Sequence, residues 1–208
     1  MAYRLGAITL GVTLAVAGCV PQDHPAERRP TTPGVESSIE PLRTSPGQVV
    51  LRCRDAVAST TGDGGSRRGA LVIDDVVIES WGPAGSPMSP AADVLTSVPS
   101  TDRRYFAKAP VQLPPASGPV SIRVIEPRGV TLGWVPGYLW TDPRRDYSLA
   151  DYESRWVTFA GCGGAATYLG GVLSTESSTC ATFEITTARR GRTRVVVALG
   201  QADCDASR

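Results

Sequence analysis

The chain has 208 residues, 21 of them basic and 20 acidic, for a formal net charge of +1. That balance offers no basic excess to gather on one face, which excludes the nucleic-acid-binding classes that neutralise phosphate. His24 is the single histidine, Lys108 the single lysine, and cysteine occurs five times.

Arg4 is the only charge ahead of an apolar run from Leu5 to Gly18. The run is short for a spanning helix, which takes about 20 residues, and suits the core of an export signal. It closes on Val16-Ala17-Gly18-Cys19, which resembles the lipobox of bacterial lipoproteins. The resemblance implies a signal peptide over 1–18, cleavage after Gly18, and lipidation of the Cys19 thiol with fatty chains such as palmitate. Each buried methylene is worth roughly 0.8 kcal/mol and one chain anchors only marginally, so the two or three chains of a lipoprotein make attachment permanent. The implied location is the cell membrane, lipid-anchored on its extracytoplasmic face, with the membrane itself the first partner.

Residues 19–47 change composition. Pro21, Pro25, Pro30, Pro33, Pro41 and Pro46 stand among Ser, Thr, Glu and Arg with few large apolar side chains, and His24 lies here too. Such a segment buries too little surface to offset its ordering entropy and reads as a disordered tether. The folded domain is expected over 48–208.

Beyond the tether, short alternating runs are separated by Gly/Pro-rich turns. Gln48–Arg54 places Val49, Leu51 and Cys53 on one face. Leu71–Ser80 is the longest strand candidate, with Asp74-Asp75 in its middle and a break at Trp81-Gly82-Pro83. Ser121–Glu126, Arg155–Ala160, Ala181–Thr187 and Thr193–Leu199 complete the clear strands. Ala181, Phe183 and Ile185 face inward in one of these, and Val195, Val197 and Leu199 in the next. Pro90–Ser97 and Ser148–Ser154 are candidates for short helices. Many short strands with few helices predict an all-β fold, an antiparallel β-sandwich for which an immunoglobulin-like arrangement is one form. Paired arginines, Arg189-Arg190 among them, fall near turns and read as solvated.

Export to an oxidising compartment predicts two disulfides among Cys53, Cys162, Cys180 and Cys204. A final hairpin centred near Arg190 pairs Phe183 with Val197 and sets Cys180 opposite Gly200. Cys204 then lies about 13 Å too far along the strand, against a Cα separation limit of about 7 Å. Unless the chain folds back at Ala202-Asp203, the expected pairs are Cys162–Cys180, closing a surface loop, and Cys53–Cys204. The stretch from Cys162 through Thr167-Tyr168-Leu169-Gly170-Gly171 to Cys180 is similar to a segment of exported lipoproteins of high-GC Gram-positive bacteria. That resemblance implies a structural cysteine pair.

With His24 in the tether, a Ser-His-Asp or Cys-His arrangement and a His-rich zinc site are excluded from the folded domain. A Ser-x-x-Lys motif fails because Tyr105 stands three residues before Lys108. Cys162 reads as a disulfide partner rather than a nucleophile. Adjacent residues of a strand point to opposite faces, so Asp74 and Asp75 do not form a dyad. Asp142, Asp146, Asp151 and Glu153 gather around one loop, without EF-hand spacing and with Arg144-Arg145 among them, and read as local ion pairs. No cofactor or metal is expected. The remaining candidate is aromatic: Trp134, Tyr138 and Trp140, in a Gly/Pro-rich segment, could offer a platform to a sugar ring or a protein. The expected function is a non-catalytic binding or accessory β domain for an envelope protein or glycan. Its rival is a carboxylate hydrolase of cell-envelope material using Asp142 and Asp146.

Overall fold

Alternating side chains in two long strands, β9 (Val120–Glu126) and β15 (Thr179–Thr187), set up the centre of the fold. Ile122, Val124, Ala181, Phe183 and Ile185 are buried, while Arg123 is exposed and Thr182 and Glu184 are partly so. The computed structural model describes residues 42–45, 47–58, 69–91, 104–141 and 149–204. These fall within one compact unit, Ile39–Arg208.

Strand β15 forms a hairpin with β16 (Gly191–Leu199), and β9 pairs on its other side with β12 (Trp156–Phe159). Beyond β12 come β2 (Gln48–Leu51) and β1 (Leu42–Ser45), completing a six-stranded sheet in the order β1-β2-β12-β9-β15-β16. Strand β1 lies inside the segment expected to be tether, so the folded unit starts earlier than 48. Its backbone pairs with β2, Leu42 opposite Val50. Strands β2 and β12 run parallel, Gln48 beside Trp156 and Leu51 beside Phe159.

Two further five-stranded sheets complete the fold. One has the order β11 (Glu153–Ser154), β10 (Val130–Trp134), β14 (Gly170–Ser174), β7 (Tyr105–Lys108), β6 (Ser89–Pro90). The other runs β3 (Val57–Ala58), β13 (Ala166–Tyr168), β8 (Val111–Leu113), β5 (Val76–Ile78), β4 (Leu71–Ile73). The two are one ribbon with a corner. Strands β7 and β8 are separated only by Ala109-Pro110, β13 and β14 only by Leu169, and Ala109 N donates to Gly170 O at 2.8 Å across the corner. Gly170 makes the corner possible. Its φ is +157°, and a Cβ there would lie 2.5 Å from Gly133 O and from Trp134 Cα. Strands that change sheet at a bend are how sheets cross at steep angles. All three sheets contribute to one core, including Leu51, Ile78, Leu132, Phe159, Tyr168 and Phe183. The fold is all-β and sandwich-like, built from three sheets rather than the two of an immunoglobulin domain.

The inner strands of the β7–β14 sheet are covered on both faces. Ala107, Trp134 and Val172 face the main core, whereas Phe106, Val135 and Leu173 join a second cluster with Ala91, Leu139 and Tyr152. Two short helices, α1 (Gly137–Thr141) and α2 (Leu149–Tyr152), supply its cover, and Tyr138 and Trp140 pack against it. The expected helix at Ser148–Ser154 is thus present as α2. The Pro90–Ser97 helix lies, after Ala91, outside the described residues.

Both disulfides form, with partners exchanged relative to expectation: Cys53 bonds Cys162 and Cys180 bonds Cys204, each at a Cα separation of 5.7 Å. The parallel β2–β12 pair explains the first, since it carries Cys53 and Cys162 off the same ends of neighbouring strands. The second depends on a fold-back. In the hairpin Cys180 faces Ala198, and Phe183 faces Val195, two residues from the expected register. A shift of two keeps every side chain on its own face. Its cause is Gly191, whose φ of +69° and pairing with Thr187 make Ala188–Arg190 a three-residue loop. Gly200, at φ +70°, then turns the chain back toward Cys180. Residues 162–180, expected to be a surface loop, contain the buried strands β13 and β14.

Arg155 holds the β9–β10 connection. Its Nη1 donates to the carbonyls of Pro127, Arg128 and Val130 at 2.9, 3.1 and 3.3 Å, and its Nη2 to Val124 and Ile125 at 3.2 and 3.0 Å. The register against β15 jumps at this point, Thr182 facing Glu126 and Phe183 facing Val124, which leaves Ile125 as a bulge.

Candidate binding face on the six-stranded sheet

Because Val157 and Phe159 are fully buried, the period-2 alternation of β12 turns Trp156 and Thr158 to the opposite face. Trp156 is 39% exposed, a large aromatic on the solvent side of a mostly polar surface. The sheet register assembles its surroundings. One row crosses the sheet as Arg194, Glu184, Arg123, Trp156 and Gln48. The next row reads Arg192, Thr186, Ser121, Thr158 and Val50. Hydroxyl and amide groups connect the rows: Gln48 Nε2 donates to Thr158 Oγ1 at 2.9 Å, and Ser121 Oγ lies 2.8 Å from the same oxygen. The guanidinium of Arg123 lies over the Trp156 ring, 5.9 Å from its centroid, within cation–π range. Arg194 has the Glu184 carboxylate at 4.0 Å.

The expected aromatic platform is placed otherwise. Trp134 has no exposed surface and packs edge-on against Phe159, with centroids 5.4 Å apart. It belongs to strand β10 and cannot present a face to a ligand, which corrects the sequence expectation for this residue. Tyr138 and Trp140 ride on α1, where both are half-buried against the second cluster. Trp156 was legible in the sequence: Arg155–Ala160 reads as a strand with Val157 and Phe159 inward, which leaves a tryptophan on the polar side.

Asp74 and Asp75 are a turn rather than a mid-strand pair. Both have left-handed φ, 49° and 68°, and they form the two-residue loop of the β4–β5 hairpin. Asp tolerates that conformation, and mirror-image turns match the twist of the strands they join. Asp74 is engaged throughout: Oδ2 accepts from Thr187 Oγ1 at 2.5 Å and from Arg190 N at 2.9 Å, and Oδ1 lies 3.0 Å from Arg190 Nε. Asp75 pairs with Arg189 at 3.3 Å, both well exposed. The acidic turn therefore clamps the β15–β16 turn. Between them lies a shallow cleft of about 250 Å³ lined by Asp75, Pro114, Ser117 and Ala188 among others.

Of the loop carboxylates, Asp142 and Asp146 lie outside the described residues. Asp151 is exposed, and Glu153 is bonded to Arg104 and accepts from Thr131 Oγ1 at 2.7 Å. Among the described residues no group of His, Cys, Asp and Glu is placed to hold a metal ion. Tyr168 is fully buried beside the Cys53–Cys162 bond, its hydroxyl donating to Ala160 O at 2.7 Å. Burial first, then the Asp55 carboxylate, push its phenol up to about 12.

No protein-family model matches this chain, and no curated protein matches it either.

Proposed function

We propose that the protein is an extracytoplasmic lipoprotein, held to the membrane through lipidated Cys19, whose β domain is a non-catalytic binding or accessory module. The Trp156 face of the six-stranded sheet is its contact surface. The observation that carries this reading is a 39%-exposed tryptophan ordered by Arg123 in a sheet face made mostly of polar and charged side chains. Burying such a ring against a partner returns hydrophobic free energy that solvent exposure withholds, and Trp and Arg dominate the energetics of contact surfaces. Two disulfides are compatible with residence in an oxidising exterior.

Two measurements test the two halves. Cys19→Ser should move the protein out of the detergent phase or leave it unprocessed, and an unchanged detergent-phase fraction refutes the anchor. Trp156→Ala made in the unlipidated Cys19→Ser background should reduce retention of the protein on isolated envelope fractions relative to Cys19→Ser alone. Equal retention of these two variants refutes the face.

A further inference from the structure

The Trp156 face has a chemistry that selects among occupants. We propose, building on the reading of this face as the contact surface, that its ligand is an acidic polysaccharide, a sugar chain bearing carboxylate or phosphate groups.

Three observations favour it. First, the aromatic surface is a single ring. The other large apolar side chain exposed on this face, Val196 on β16, is separated from Trp156 by the strands β9 and β15, roughly 14 Å at the usual strand spacing. The cores of protein–protein contacts are continuous and apolar, whereas one isolated ring suits stacking of one sugar. Second, the ring is surrounded by groups that bond hydroxyls. Gln48 and Arg123 flank it across the sheet, and Thr158 and Ser121 stand in the adjoining row. A sugar chain needs a polar partner for each hydroxyl it desolvates.

Third, the face carries an excess of positive charge, with Arg123, Arg192 and Arg194 against Glu184 and Glu126. Of Arg123, Arg192 and Arg194, only Arg194 has a carboxylate within ion-pair distance among the described residues. The Arg123 guanidinium lies over one side of the ring, where its fork can take a carboxylate or phosphate in two parallel bonds from a sugar that stacks on the other side. A sugar lying on Trp156 therefore meets a cation at its edge, and a neutral glycan would leave that cation unanswered.

The test titrates the full-length protein with oligogalacturonate, a phosphomannan oligosaccharide, maltohexaose and poly-L-glutamate. Acrylamide quenching in a Trp140→Phe background follows Trp156, since Trp81 and Trp134 are only 3% and 0% exposed and Trp140 is the other partly exposed tryptophan. One or both acidic sugars should bind, shield Trp156 from quencher and weaken with salt; which one binds identifies the anionic group. Trp156→Ala and Arg123→Gln should each cost at least about tenfold in affinity, with Val196→Ala unchanged. Maltohexaose binding as tightly and insensitively to Arg123→Gln overturns the acidic requirement and leaves the face reading standing. Poly-L-glutamate matching the acidic sugars overturns the proposal in favour of an acidic protein. Binding of none of the four overturns it as well, while retention on envelope fractions decides the face reading independently.

Discussion

Replacing Arg155 with Met keeps the aliphatic stem and removes the guanidinium that joins five carbonyls of the β9–β10 connection. A hydrogen bond from a charged donor is worth roughly 1.5–3 kcal/mol net, but five such terms do not add here. Nη1 and Nη2 carry four N–H groups between them, so some contacts are shared. The Arg128 carbonyl also belongs to an exposed turn where water can replace the donor. Two fully lost partners set a cost of about 3–6 kcal/mol, a large share of the 5–15 kcal/mol that holds a domain together. Urea unfolding with disulfides intact measures it, and amide exchange should quicken in the β9–β10 turn before elsewhere. Arg155→Lys should recover less than half of the loss, because an ammonium cannot span the same acceptors as a fork. A loss under about 1 kcal/mol for Arg155→Met would refute the view that this side chain organises the bulge.

Trp134→Ala should cost about 3–5 kcal/mol as a core truncation, whereas Trp156→Ala should cost only about 1 kcal/mol, the loss of a cross-strand pair; thermal unfolding of both variants distinguishes them. Because Tyr168 keeps its proton up to about 12 when folded against 10.0 when free, the unfolded chain loses that proton first as pH rises. Stability should therefore fall between pH 10 and 12, by roughly 2–3 kcal/mol, and Tyr168→Phe should flatten that slope in pH-dependent urea unfolding. Non-reducing peptide mapping should recover Cys53 with Cys162 and Cys180 with Cys204. Removing the first pair, whose partners are 109 residues apart, should cost more than removing the second, 24 apart, about 5 against about 3 kcal/mol in loop entropy.

Strands with one wet face were readable from the sequence. Val120–Glu126 and Ala181–Thr187 alternate because one side of each packs on the core and the other meets solvent. Strand β14 could not be read that way. Gly170-Gly171-Val172-Leu173-Ser174 is buried at every position, between the main core and the helical cover, so its polarity has no period of two. Strand β10 was obscured for a related reason: Gly133 and Pro136 beside Trp134 look like loop, although Gly133 pairs with Gly171 inside a sheet. The Asp74-Asp75 turn lacks the glycine that usually marks such a loop, so Leu71–Ser80 read as one strand. The disulfide partners rested on the parallel pairing of β2 with β12, distant segments with no local signal of their contact. The exposed tryptophan follows from the period-2 alternation of Arg155–Ala160, which buries Val157 and Phe159 and turns Trp156 outward.

The order of elements at the start of the domain gives it a mechanical character. A pull on the chain ahead of Leu42 loads β1 first, and an antiparallel edge strand opens one bond at a time, like a zip. Strand β2 is next, and just beyond it Cys53 is covalently joined to Cys162. Unravelling from this side stops there, because the load passes through sulfur into the segment after β12, in the interior of the sheet. The Gln48 column of the Trp156 face can be stripped away under tension, while the Trp156, Arg123 and Glu184 columns stay in place. The domain therefore yields in a short, bounded step at its β1 edge and then holds, a fuse with a fixed travel.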